Sequence, residues 1–149
     1  MRAWLMESFE GVEKLRLGEV PDPQPGSGDV LVNVRFAALN PADAFLACGL
    51  YPAKPPLPHI LGRDGVGDVA AVGADVQHVR VGETVGILRC TAGVEAWGTL
   101  AEKVVVPADS VVYLGEGHTP LVEAPPRLRA SLGQDFCFKN DGQNPSASF

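Results

Sequence analysis

A chain of 149 residues, 46% of them hydrophobic and 20% charged, is sized for one domain with a sizeable core. A formal net charge of −6 argues against a protein that tracks nucleic-acid phosphates. Seventeen Gly and thirteen Pro favour many turns and short elements, hence β structure over long helices.

The opening "MRAWLMESFEG" has one Arg and a short apolar run before Glu7, which predicts no signal peptide. No later stretch has the length to span a bilayer. Next, "LRLGEV" reads as a strand, and the Pro/Gly loop "PDPQPGSGD" leads into a second, "DVLVNVRFAAL" at 29–39. Here Val30, Val32, Val34 and Phe36 alternate with Leu31, Asn33 and Arg35. "PADAFLAC" predicts a short helix with Asn40 as N-cap, Pro41 at the first helical position and Gly49 closing it.

"GVGDVAAVGADV" (65–76) and "GETVGIL" (82–88) read as short strands punctuated by glycine. "GTLAEKVVVPADSVVYL" (98–114) supplies two more, broken at "PAD". The fold class predicted is mainly β with short helices, a compact barrel or sandwich. Beyond Leu114 the pattern dissolves, which divides the chain into 1–114 and an atypical tail, 115–149. "GEGHTPLVEAPP" is loop-like, "RLRASLGQDF" has Leu128, Leu132 and Phe136 at helical spacing, and "KNDGQNPSASF" has a disordered composition.

Residues 65–70, "GVGDVA", satisfy G-x-G-x-x-A, yet a dinucleotide loop needs a strand before it and a helix after it. Pro-rich text precedes the motif and Val-rich text follows, so glycines at barrel bends explain it better. Cys48, His59, His78, Cys90, His118 and Cys137 are the candidate metal ligands. None of the cysteines has a C-x-x-C neighbour, and no two histidines lie three to five residues apart. Cys48 and Cys90 therefore read as small packing residues, and all three cysteines as reduced thiols of a cytoplasmic protein. No nucleophile motif or carboxylate pair has a local signature.

Three segments in order, "NPADAFLACGLYP", "LPHILGRDGVGDVAAVGADVQHVRVGETV" and "GTLAEKVVVPADSVVYL", carry a family resemblance. They resemble the N-terminal GroES-like domain of the medium-chain dehydrogenase/reductase superfamily, nearest its zinc-independent quinone oxidoreductase branch. Gly49, Gly62, Gly67, Gly73 and Gly82 fall at that family's spacings, as do Val69, Val76 and Val85. The resemblance implies a partly open GroES-like β barrel over 1–114. The cofactor in this family is held mainly by a second, Rossmann domain, and no complete one appears here. The tail then reads as truncation with foreign or frame-shifted sequence, or as a natural extension.

Zinc-dependent members place a Cys ligand at the position of Asn40 in "NPAD" and a His ligand at the position of Arg63 in "GRD". An amide and a guanidinium are not zinc donors, so the resemblance implies a zinc-independent protein. It implies hydride transfer from NADPH to a small-molecule quinone or α,β-unsaturated carbonyl, without nucleic acid or membrane as partner. Asn40, Asp43 and Tyr51 would line the cleft near the nicotinamide, with Asn40 and Asp43 toward the cofactor. Tyr51 would donate to a carbonyl oxygen and Asn40 would hold cofactor or substrate. Phe45 and Ala47 stand where relatives often have Tyr and Arg, which removes two polar contacts. The plainer alternative is Asn40 as a helix cap alone and Tyr51 as a packing residue. With the cofactor domain missing, 1–114 is expected to be inactive alone. The alternative function is a non-catalytic module whose apolar face pairs with another chain or self-associates.

Overall fold

The computed structural model describes residues 1–88, 91–114, 121–123 and 137–139. Strands β1 (Arg2–Met6) and β2 (Arg16–Glu19) are followed by β3 (Asp29–Ala37) and helix α1 (Pro41–Ala47). Then come β4 (His59–Ile60), β5 (Gly65–Val72), β6 (Thr84–Ile87), β7 (Lys103–Pro107) and β8 (Val111–Tyr113). Single 3-10 turns occupy Val12–Lys14 and Ala108–Ser110, the second at the predicted "PAD" break.

The larger sheet has the order β7-β3-β5-β6-β8 and the smaller one β2-β1-β4, both antiparallel. Residues 100–102 stitch the two together. The Trp4 N–H donates to the Leu100 carbonyl at 2.9 Å, Glu102 to Arg2 at 3.0 Å, and Val34 to Glu102 at 2.9 Å. The two sheets remain separate and do not close, as the partly open barrel implied by the resemblance requires.

Valine builds the main core because β3 is paired on both sides. Val30 faces Val106 and Val32 faces Val104 across the β3–β7 ladder, and all four are buried. Val69, Val79, Val85, Ile87, Ala92 and Val111 complete the cluster. β-branched side chains suit this pleated, covered surface. The alternation read from the sequence does not run to the end of β3. Register shifts against β5 fall between Leu31 and Val32 and again between Val34 and Phe36. Val34 is only half-buried and Phe36 is 72% exposed. An irregularity of this kind re-aims every side chain beyond it.

The "GVGDVA" run lies wholly inside β5, bonded to β3 on one side and β6 on the other. A Cβ at Gly67 would sit 2.2 Å from the Asn33 carbonyl oxygen. Glycine is required there by close strand approach, within a ladder and beside the register shift between Val34 and Phe36. In the tail, part of the loop-like "GEGHTPLVEAPP" is a strand: β9 (Leu121–Glu123) pairs antiparallel with β10 (Cys137–Lys139). The helical reading of "RLRASLGQDF" falls outside the described residues.

Candidate functional site

Helix α1 forms as its sequence predicts. Asn40 is extended at φ −111° and ψ 149°, and its backbone N–H donates to Asp43 Oδ2 at 2.9 Å. Pro41 opens the helix with a preset φ and no N–H to satisfy. At the far end, Gly49 (φ 68°) donates to the Leu46 carbonyl at 3.0 Å and Leu50 to the Phe45 carbonyl at 2.8 Å, the paired bonds of a Schellman stop. Asp43, Leu46 and Ala47 form the buried face. Leu46 and Ala47 pack with Met6 and Leu61, and the Tyr51 ring rests on the same cluster. This packing sets α1 against residues 61–64.

One polar network joins the two segments. Asp43 is 5% exposed, and its second oxygen, Oδ1, accepts the Gly62 N–H at 3.0 Å. Both carboxylate oxygens are therefore bonded to backbone donors, which makes Asp43 a clamp between the start of α1 and the loop after β4. Asn40 Nδ2 donates to Asp64 Oδ2 at 3.0 Å. Thr99 Oγ1 holds the Asp64 carbonyl at 3.0 Å, and the Ala38 N–H donates to the same oxygen at 3.0 Å. Arg63 Nη1 donates to the Tyr51 hydroxyl oxygen at 3.3 Å. Asn40, Tyr51, Arg63 and Asp64 are all half-buried.

Gly62 makes this meeting feasible. Its φ is +98°, and a Cβ on it would lie 2.4 Å from Thr99 Oγ1 and 2.9 Å from the Leu100 nitrogen. Only glycine allows residues 61–62 to lie along 98–100, where the Thr99 N–H donates to the Gly62 carbonyl at 2.9 Å.

A groove of about 480 Å³ adjoins the network. Phe36, Val66, Ile87, Leu88 and Leu114 give it mostly apolar walls, and Ala38 and Asp64 are the network residues that line it. Asn40, Asp43 and Tyr51 are thus brought together, with Asp43 turned inward and neither Asn40 nor Tyr51 lining the groove. Arg63, read in the sequence only as standing at a metal-ligand position, and Asp64 beside it are the links that connect them. No spacing rule announces that contact, because residues 51 and 63 meet only through the packing of α1.

Among the described residues, Cys48, His59 and His78 form no metal-binding group. Cys48 is exposed at the helix end, not packed as its type suggested. His78 Nε2 donates to the Ala108 carbonyl at 2.7 Å. Cys90 and His118 lie outside the described residues, as does the Cys137 side chain. His59 is 1% exposed, its Nε2 has no hydrogen-bond partner, and burial lowers its pKa from the ordinary value. Among the described residues no three His, Cys, Asp or Glu side chains group to hold a metal ion. At the network itself, the amide of Asn40 is donating and Arg63 is a fixed cation, so that donor set does not fit a metal. Among the described residues no helix is long and apolar enough to cross a membrane.

Residues 26–116 match the family model of the alcohol dehydrogenase GroES-like domain. The chain belongs to the medium-chain dehydrogenase/reductase superfamily. The matched part is the superfamily's N-terminal GroES-like domain. The chain is 34% identical over 109 residues to an alcohol dehydrogenase of Moraxella sp. (strain TAE123), covering 68% of this chain and 32% of that one. It is 34% identical over 110 residues to a quinone oxidoreductase of Pseudomonas aeruginosa, covering 74% and 32%. The crystal structure of Escherichia coli quinone oxidoreductase complexed with NADPH superposes with a TM-score of 0.69 at 26% identity, covering 78% and 34%. The chain therefore spans about a third of the length of these relatives.

Proposed function

We propose that this chain is the substrate-side domain of a zinc-independent, NADPH-dependent reductase of quinones or α,β-unsaturated carbonyls. The observation that carries the proposal is the Tyr51–Arg63 and Asn40–Asp64 network beside an apolar groove, with an amide and a guanidinium in place of metal donors. The similarity to a quinone oxidoreductase solved with NADPH supports the choice of cofactor.

NADPH, when bound, supplies a hydride: an enone takes it at the β-carbon and a proton from solvent, giving a saturated ketone and NADP⁺. The chain's own residues have three tasks. The groove walls shelter the apolar part of the acceptor and keep water from it. Tyr51 turns its hydroxyl proton toward the carbonyl oxygen, where negative charge develops as the hydride arrives. Asn40 and Asp43 are the residues that would hold the cofactor, with Asp64 fixing Asn40, and Asp43 keeping the two segments in register.

The described residues contain no strand, Gly-rich turn and helix unit, so 1–114 would meet a dinucleotide from one side and hold it weakly. Amide NMR of the 149-residue chain tests both parts. Adding 2-cyclohexen-1-one is expected to shift the amides of Asn40, Tyr51 and Asp64. Shifts confined to other surfaces would overturn the substrate-side assignment. Adding NADPH is expected to shift the same wall only at millimolar concentration, and saturation at micromolar NADPH would refute one-sided holding.

A further inference from the structure

Arg63 is a half-buried cation in want of an anion. Its hydrogen bond to the Tyr51 hydroxyl is its one partner among the described residues, and it joins none of their ion pairs. The neighbouring carboxylate of Asp64 is engaged by Asn40 instead. With no carboxylate on it, this half-buried guanidinium keeps donors free for an anion. It has five N–H donors, and one is used here.

The Tyr51 side of the contact is as informative. A phenol has one proton, and because its oxygen accepts from Arg63, that proton is directed elsewhere. Accepting a charge-assisted bond also polarises the O–H and makes it a better donor. The ring is fixed against Met6, Leu46, Ala47 and Leu61, so the hydroxyl stays beside the guanidinium. The two side chains therefore present donors of the same sign from one rigid corner.

We propose that Arg63 and Tyr51 act as a single donor pair that binds the oxyanion of the acceptor, an enolate- or phenolate-type oxygen. The inference rests on the proposed role of Tyr51 as donor and adds Arg63 as the residue that supplies the charge. The pair distinguishes an ionised oxygen from a neutral ether or ketone of the same shape.

The test uses 4-nitrophenol, whose phenolate form is read by absorbance, with 4-nitroanisole as the neutral counterpart. The intact chain is expected to bind the phenolate in preference, and the bound phenol to ionise at lower pH than the free one. R63Q is expected to weaken phenolate binding roughly ten- to a hundredfold, the usual effect of losing a hydrogen bond to a charged group, and to leave 4-nitroanisole unaffected. R63K keeps the charge and retains most of the preference, while Y51F lowers it by less than R63Q. Thermal unfolding of each variant checks that the fold persists. Wild-type affinity in R63Q, or an R63K as poor as R63Q with respect to the preference, overturns the proposal. If Y51F alone loses the phenolate, Arg63 has no part and the Tyr51 role stands. An intact chain that takes 4-nitroanisole as tightly as the phenolate removes both, while the response to 2-cyclohexen-1-one tests the acceptor site independently.

Discussion

Replacing Asp43 with Ala probes the joint on which the site depends. The carboxylate accepts the Asn40 N–H at 2.9 Å and the Gly62 N–H at 3.0 Å from a position 5% exposed. A hydrogen bond to a charged group contributes about 1.5–3 kcal/mol, and a buried donor left without a partner loses that in full. Gly62 is buried, so its N–H has no water to turn to, whereas the half-buried Asn40 N–H recovers part of its loss. D43A is therefore expected to cost about 2–5 kcal/mol in urea unfolding followed by far-ultraviolet circular dichroism. D43N keeps one acceptor oxygen but points an NH2 group at the other N–H, and is expected to cost about 1.5–3 kcal/mol. Because Gly62 directly precedes Arg63 and Asp64, both variants should also broaden the amide signals of those residues. A D43A chain within about 1 kcal/mol of the parent would refute the clamp, since no buried pair of bonds is lost so lightly.

Two further expectations follow from buried positions. Burial lowers the His59 pKa, so the folded chain keeps the ring neutral while the unfolded chain takes up a proton below the ordinary value of 6.5. Stability is then full above that pH and falls as pH drops through it, and His59→Leu should flatten the thermal midpoint between pH 7 and pH 5.5; an unchanged slope would mean the ring finds a partner when protonated. Gly62→Ala forces a Cβ against Thr99 and the Leu100 backbone at a φ of +98°, and should destabilise by more than about 2 kcal/mol in the same urea assay. A smaller cost would show that residues 98–100 can yield.

Local chemistry is what the sequence carried well. Alternating valines, a Pro after Asn40, a Gly after Cys48 and the "PAD" break each act within a few residues, and the strands, α1 and the 3-10 turn all formed there. Chain order of spaced glycines was enough for the family. The side-chain chemistry of Asn40 and Arg63 at two metal-ligand positions was also plain, because it depends on atom type alone. The limits came where a neighbour across the fold decides. Phe36 follows the alternation of Val30 and Val32, yet an irregularity against β5 sends it outward. Cys48 has the size of a core residue and sits exposed where the helix stops.

The sequence by itself determined which side-chain chemistry is at hand here: an amide, two carboxylates, a phenol and a guanidinium, in pairs 12 to 24 residues apart. The tertiary structure decided what each is free to do. Packing of α1 on Met6 and Leu61 spends Asp43 on two backbone donors and Asn40 on Asp64, and leaves Arg63 with Tyr51. Hydrogen-bonding capacity is a property of the residue, but its allocation follows from distances that only the folded chain sets.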